Sequence, residues 1–534
     1  MTDVGIQTDD ILINGIPLQE FLDNIPIKDN SLWAFIDKNS YDGDGHGHGD
    51  GDRECDRECD ASDDDMDKRD NVISNSSADI SIVLTDTEIE CLQESILYCI
   101  DELVKTNAIS FSDPSFHTKL ENALYDLIDS TFCENGSGSL NDIFVFSEEM
   151  EEQFENVICD CLKEYFDTIL PPRSYPDTCI LRLPNLEEIK KNIDYLQSIP
   201  QEEQRTPGWY KFRYNLITAS AAWKVFKSDS CINQLIYEKC KPLGLGCNHE
   251  DLDDIEKEQQ QQQQQQQQVV VEKTYVNTNS PLHWGQKYER LSVMIYEAKN
   301  NTIVGEFGCI KHPKYNFLGA SPDGINIDIS SPLYGRMLEI KNIVSREITG
   351  IPIEEYWIQT QLQMHVCDCD ECDFLETCFK EYDDEAAFLH DSASDIDTEF
   401  HLTSTKTLKG VIAYFMKDGK PLYEYAPLYL TRIEYDIWCE EIIDKNAGIT
   451  WLKNIYWYLE RYSCVLIRKN DIWFEHAIPK IENVWNIILK ERENGYEHRA
   501  PKKRAPRKKN NITECENIID SGCLVIISDL QLNI

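Results

Sequence analysis

Ser321-Pro322-Asp323-Gly324 is followed, fifteen residues after Gly324, by Glu339-Ile340-Lys341, with Leu338 just ahead. Proline, aspartate and glycine in succession are turn residues, so Asp323 is carried on a bend. The second segment alternates apolar and charged side chains. Strand side chains alternate faces, so Glu339 and Lys341 point one way while Leu338 and Ile340 point into a core. Two carboxylates brought together suit a hard divalent cation such as Mg2+, which takes oxygen ligands and keeps waters for a substrate phosphate. A lysine beside that ion is a compact positive charge, placed to steady a water or a developing phosphorane. This donor set belongs to metal-dependent phosphodiester hydrolysis.

Outward from that stretch the pattern is α/β. Residues 302–310 and 325–329 read as strands, 317–320 leads into the Asp323 turn, and 336–342 is the strand bearing Glu339 and Lys341. After Pro352 a helix places Tyr356, Gln359 and Gln363 on one face and Gln361 on another. Such glutamines orient a water, touch a phosphate, or are simply solvated. Upstream, Ser280-Pro281 opens and Asn300-Asn301 closes a helix whose apolar stripe is Trp284, Tyr288, Leu291 and Ile295. Glu289 lies at the stripe's edge, where a half-exposed glutamate is the default. Earlier still, a helix over 208–214 presents Arg213, and Thr218-Ala219-Ser220 opens another. Guanidinium, hydroxyl and capped amides form a phosphate pocket, or they are an ordinary capped helix with a surface arginine.

Taken in order, Arg213 with Ser220, Glu289, Ser321-Pro322-Asp323-Gly324, Glu339-Ile340-Lys341 and Tyr356-x-x-Gln359-x-Gln361-x-x-Met364 resemble the YqaJ-type viral recombinase family. That family includes bacteriophage lambda exonuclease and belongs to the PD-(D/E)xK nuclease superfamily. The resemblance covers about 204–380, with the strands near 409–430. The glutamine tract and Asp/Gly/His repeats beside it are similar to those of giant DNA viruses. The resemblance implies a restriction-endonuclease-like α/β core, a mixed central sheet flanked by helices. It implies Asp323 and Glu339 as metal-binding carboxylates, with the Ile340 carbonyl and Glu289 as further ligands. Lys341 would assist the attacking water, and Gln359 would position nucleophile or substrate. Arg213 and Ser220 would bind a terminal 5′ phosphate. The implied cofactor is Mg2+, with Mn2+ as a substitute, and the implied substrate is DNA, at linear duplex ends. A single-strand annealing protein is the implied partner.

Some related CRISPR adaptation nucleases hold an iron–sulfur cluster through four cysteines flanking the core, one of them upstream. Here Cys367, Cys369, Cys372 and Cys378 all follow the glutamine helix. Cys372-Asp373-Phe374-Leu375-Glu376-Thr377-Cys378 alternates as a strand, which is the preferred reading over a cluster site.

The formal net charge of −45 argues against a DNA enzyme only until it is divided. Residues 1–170 hold 41 acidic and 9 basic residues, and 366–400 hold 13 acids against one lysine. The remaining body is close to neutral, and whole-chain charge does not decide the field of a local groove. A chain of 534 residues allows two to four domains. No run is long enough to span a bilayer and the first residues carry no signal pattern, so an intracellular protein with no membrane partner is expected. Viral replication sites in the host cytoplasm are the implied location, with nucleus and virion as alternatives. Twenty cysteines are then expected as thiols.

The expected organisation begins with an acidic N-terminal region, 1–85, mostly disordered. Its low-complexity tract at 41–70 includes His46, His48, Cys55 and Cys59 without metal-finger spacing. An acidic helical domain follows over 86–170, with apolar spacings of three and four. The nuclease domain is expected over 200–432, with disordered insertions near 248–272 (including ten glutamines) and 381–406. Gly410 to Phe415 and Tyr423 to Leu430, joined through Asp418-Gly419, form a hairpin that finishes the sheet. A helical extension over 433–498 carries aromatics read as packed core rather than a base-stacking surface. A basic arm and tail, 499–534, offers seven basic residues within 499–509 for phosphate-backbone contact or nuclear targeting. An endonuclease or resolvase on the same fold is one alternative. A non-catalytic DNA-binding or virion scaffold protein is another, disfavoured by the intact Asp323, Glu339 and Lys341 set.

Overall fold

The computed structural model describes residues 86–134, 148–176, 185–204, 206–243, 277–278, 280–393 and 397–501, with a short antiparallel pair, Leu12–Ile13 and Ile16–Pro17. The tract at 41–70, the insertion at 248–272 and the basic arm beyond 501 lie outside the described residues.

Alternation builds the central sheet. Its strands are β2 (Val304–Gly305), β5 (Gly324–Asn326), β6 (Met337–Asn342), β7 (Glu371–Glu381), β8 (Lys409–Lys417), β9 (Lys420–Tyr425) and β10 (Thr450–Arg468). They lie in the order β9-β8-β10-β7-β6-β5-β2. The β6–β7 pair is parallel and the rest are antiparallel, so the sheet is mixed. A smaller sheet joins β1 (Ile217–Thr218), β4 (Leu318–Ala320) and β3 (Ile310–Lys311) in the order β1-β4-β3. The β8–β9 hairpin turns through Asp418 and Gly419, both at positive φ, as the Asp-Gly pair demands.

Two long helices cover opposite faces of the large sheet. Helix α8 (Pro281–Asn300) is capped as its sequence predicts: Ser280 Oγ accepts from His283 N–H at 3.2 Å, and Asn301 ends it at φ 47°. Its stripe of Tyr288, Leu291 and Ile295 packs on Phe379, Ile412, Ile455 and Trp457. Helix α9 (Glu354–Cys367) lies on the other face, where Trp357, Ile358 and Leu362 join Cys372, Phe374, Val465 and Ile467. No described helix is long and apolar enough to cross a membrane.

The expected helices over 86–170 are present as α1 (Asp86–Thr106), α2 (Phe116–Glu134) and α3 (Glu148–Thr168). They do not form a separate core. Phe111 lies 5.6 Å from Trp357 of α9, ring to ring, and Trp357 Nε1 donates to Arg173 O at 2.8 Å. One apolar cluster runs from Leu92 through Trp357 to Ile488. Trp357 is fully buried at this junction, so Trp357→Ala is expected to cost about 3–5 kcal/mol. A lowered urea midpoint in one cooperative transition would check it. Two separate transitions in the parent would contradict the shared core.

Several boundaries differ from expectation. The region 433–498 is not a helical extension. It holds α11 (Arg432–Lys445), the 19-residue strand β10, and α12 (Asp471–Asn494). Ile455, Trp457 and Leu459 fall at every second position and pack against α8. Their aromatic and β-branched neighbours suit a strand, and β10 lies inside the sheet between β8 and β7, so the core continues past 432. Helix α12 starts where Asn470 Oδ1 caps Trp473 N–H at 2.9 Å, and Pro479 lies inside it.

The stretch 381–406 is not simply a disordered insertion. It contains α10 (Glu385–His390), capped by Asp384 at 2.8 Å, and Phe388 and Phe400 bury against Tyr456 and Tyr435. Asp383, Asp384, Glu385 and Asp397 stay exposed while two phenylalanines anchor it. Arg499, expected in the flexible basic arm, pairs with Glu491 of α12. The strands read at 302–310 and 325–329 are shorter than expected. Only Val304–Gly305, Ile310–Lys311 and Gly324–Asn326 pair, and Ile303 and Ile329 at the outer ends of the expected strands are exposed.

Candidate active site

Strand β6 presents Glu339 and Lys341 toward α9, while Leu338 and Ile340 pack with Val293 and Leu375 on the opposite side. Glu339 is only 1% exposed, and each carboxylate oxygen is held. Gln359 Nε2 donates to Oε1 at 2.6 Å, and Gln363 Nε2 donates to Oε2 at 2.7 Å. Lys341 Nζ forms an ion pair with Glu339 Oε1 and donates to Gln359 Oε1 at 3.3 Å. The ammonium also lies 4.8 Å over the Tyr356 ring. The face of Tyr356, Gln359 and Gln363 read from helical spacing therefore meets the charged face of β6. Gln361 points elsewhere and holds Arg468 O and Asn470 N–H, both at 2.8 Å.

Asp323 arrives on the bend between β4 and β5. Its Oδ2 accepts from Ile340 N–H at 2.7 Å, which fixes it over β6. Gly324 is needed beside it, because a Cβ there would lie 2.1 Å from Val304 Cγ1. Burial pushes the Asp323 carboxyl well above the usual carboxylate range, and the charges of Glu339 and then Glu289 push it further. Glu289 is exposed on α8 yet close enough to act on Asp323. For Lys341 burial pulls the ammonium down, but Glu339 and Asp323 outweigh it and leave it raised.

Three carboxylates against one ammonium leave excess negative charge on oxygen donors. That chemistry fits a hard divalent cation, which Asp323, Glu339, Glu289 and the Ile340 carbonyl are the groups available to hold. Among the described residues, no group of three or more His, Cys, Asp or Glu side chains already converges closely enough to enclose a metal ion.

The second half of the site follows from strand pairing. β1 and β4 run parallel, with Ile217 opposite Leu318 and Thr218 opposite Gly319. Ser220 and Ser321 thus both emerge just past the same ends of adjacent strands. Arg213, on α5 (Pro207–Tyr214), lies 4.3 Å over the Trp209 ring. Its guanidinium meets the Cys309 side chain, which also reaches Ser321, two residues from Asp323. Burial pulls the Arg213 guanidinium below its ordinary range. The expected cap at Thr218 is not made. The helix it opens, α6 (Ala219–Ala222), is a single short turn, and Thr218 Oγ1 instead meets the exposed Ser220 Oγ at 3.3 Å.

The cysteine stretch splits. β7 is a strand over Glu371–Glu381, as alternation predicts, and Cys378 Sγ donates to Glu460 Oε2 at 3.2 Å. Cys367, Cys369 and Cys372 are buried thiols, raised by burial.

Gln363 is the side chain whose contact with Glu339 sequence reasoning left unassigned. Its signal was present, since it stands four residues after Gln359 on the same helical face.

The family model of the YqaJ-like viral recombinase domain matches residues 208–370, a segment that contains every side chain placed at the site. An uncharacterised protein of Acanthamoeba polyphaga mimivirus is 30% identical over 372 residues, 63% of this chain. The chain spans 62% of that relative's length. An alkaline exonuclease from Laribacter hongkongensis is 18% identical, with 55% of this chain and 95% of that one covered at a TM-score of 0.27. A phage-related exonuclease from Haemophilus somnus is 13% identical, covering 53% and 96% at a TM-score of 0.25.

Proposed function

With a YqaJ-like viral recombinase domain at residues 208–370 as the premise, we propose that this protein is a metal-dependent DNA nuclease. It degrades linear duplex DNA from 5′-phosphorylated ends during viral recombination, replication or repair. The observation that carries this reading is the parallel pairing of β1 with β4. It brings Ser220 out past the same strand ends as Ser321, two residues before Asp323, which supports neighbouring sites for an end phosphate and the bond to be cut.

The chain's own residues divide the work. Asp323, Glu339 and Glu289, with the Ile340 carbonyl, would hold Mg2+ or Mn2+. Bound there, such an ion would supply neutralisation of phosphoryl charge and a lowered pKa for water. Gln359 and Gln363 fix the orientation of Glu339. Lys341, kept charged by two carboxylates, stands ready to stabilise the negative charge that develops on the phosphoryl group. Arg213 supplies a guanidinium fork for the end phosphate, with Ser220 beside it. Digestion from 5′ ends leaves single strands, so a single-strand annealing protein is the fitting partner.

The test is digestion of linear duplex DNA with 5′-phosphate or 5′-hydroxyl ends, beside a closed circle, with and without Mg2+. Nucleotide release from linear DNA, much faster from phosphorylated than from hydroxyl ends, and none from the circle, is expected. Cutting of the circle would replace this reading with an endonuclease. No cleavage under any divalent ion would leave the non-catalytic scaffold. Arg213→Gln is expected to lower the rate on phosphorylated ends by about tenfold, the scale of one charge-assisted fork, and to leave hydroxyl ends unchanged. Equal losses on both ends would remove Arg213 from end recognition.

A further inference from the structure

We propose that Lys239 is the second cation of the pocket around Arg213, and that the pair together selects a terminal phosphate monoester over a hydroxyl end. This rests on the nuclease reading and adds a specificity-determining residue to it.

Lys239 lies on α7 (Asp229–Cys240), far in sequence from the carboxylate motifs. Its Nζ donates to Arg213 O at 2.9 Å, which places the ammonium at the end of the helix that carries Arg213. Arg492 of α12 joins them, donating to Lys239 O and to Tyr214 O at 2.6–3.0 Å. Three cations therefore share one small region of a chain whose formal net charge is −45.

Among the described residues, the nearby carboxylates make their ion pairs with other cations. Glu238 pairs with Lys224 at 2.8 Å and accepts from Gln234. Glu491 pairs with Arg499. The neighbour shared by Arg213 and Lys239 is the neutral Cys309 thiol, which leads on to Ser321. Burial, with Arg213 and then Arg492, pulls the Lys239 ammonium down to about 7. Buried cations placed close together are costly, and a bound anion relieves that cost. A phosphate monoester, with its second negative charge, is an anion that two adjacent cations hold better than one, and a hydroxyl end offers neither.

The competing account is structural: Lys239 merely caps the carbonyl of Arg213. Lys239→Gln separates the two, since the amide can still donate to that carbonyl but carries no charge. The measurement is binding of short duplexes with 5′-phosphate or 5′-hydroxyl ends to the full chain in EDTA, by fluorescence anisotropy. The cleavage-rate ratio for the two ends in Mg2+ goes beside it. Lys239→Gln is expected to weaken binding of the phosphorylated duplex by about tenfold, to reduce the salt slope by about one, and to leave the hydroxyl duplex unchanged. Lys239→Arg should restore most of the preference, and the thermal midpoint of each variant reports its folding. An unchanged preference in a folded Lys239→Gln overturns the role of Lys239 alone. A parent that cleaves DNA without preferring phosphorylated ends overturns the pocket but leaves the nuclease. A parent that neither cleaves nor prefers phosphorylated ends overturns both.

Discussion

Asp323→Asn is expected to abolish DNA cleavage while leaving the metal-free protein at least as stable as the parent near neutral pH. The two effects have one cause. Burial holds the Asp323 carboxyl well above the ordinary carboxylate range, and Glu339 and Glu289 add like charge. The folded protein thus binds a proton that the unfolded chain releases. Stability from that proton is fully present below about pH 3.9, and it is lost as pH rises from there through the folded value. Asparagine has no proton to lose, and its side-chain oxygen can still accept from Ile340 N–H. The thermal midpoint of the parent in chelator should therefore fall as pH rises above the carboxylate range, and the variant should flatten that slope. Cleavage should drop by about a thousandfold or more, the scale of losing one preorganised charge. Added Mg2+ should raise the midpoint of the parent and not of the variant. A variant that cuts DNA normally, or whose midpoint tracks the parent at every pH, would remove Asp323 from the site.

Lys341→Met should also abolish cleavage, but with the opposite effect on stability. Glu339 is almost wholly buried and Lys341 is its ionic partner. Taking away one member of a buried pair leaves an uncompensated charge, at a cost of about 3–5 kcal/mol. Gln359 and Gln363 still donate to Glu339, which places the expected loss near the lower end, about 3 kcal/mol. Combining Lys341→Met with Glu339→Gln should regain much of that stability without regaining activity, because the orphaned charge is gone. Urea denaturation of the two single variants and the double variant closes the cycle. Additive losses would show that the pair is not coupled.

Much of the carboxylate half of the site was legible from local pattern. The alternation around Ile340 orients Glu339 and Lys341, and the spacing of Tyr356, Gln359 and Gln363 puts them on the helix face that meets β6. Ser280 and Asn301 mark the ends of α8 because caps are made within one turn. The anion half was only partly legible. Arg213 stood out as a residue type, but Lys239 and Cys309 join it through packing of α5, α7 and the β3 region. β10 was hidden for a related reason. Its aromatics also fit helical spacing, and what makes it a strand is pairing with β8 on one side and β7 on the other.

Periodicity, turn chemistry and caps are written in neighbouring side chains, so the α/β class, the Asp323 bend and the Glu339–Lys341 strand follow from sequence. Pairing register and shared cores are sums over contacts between distant residues. Only the tertiary structure could set β1 beside β4, merge α1–α3 with the core at Trp357, and gather Arg213, Lys239 and Arg492 at the end of α5.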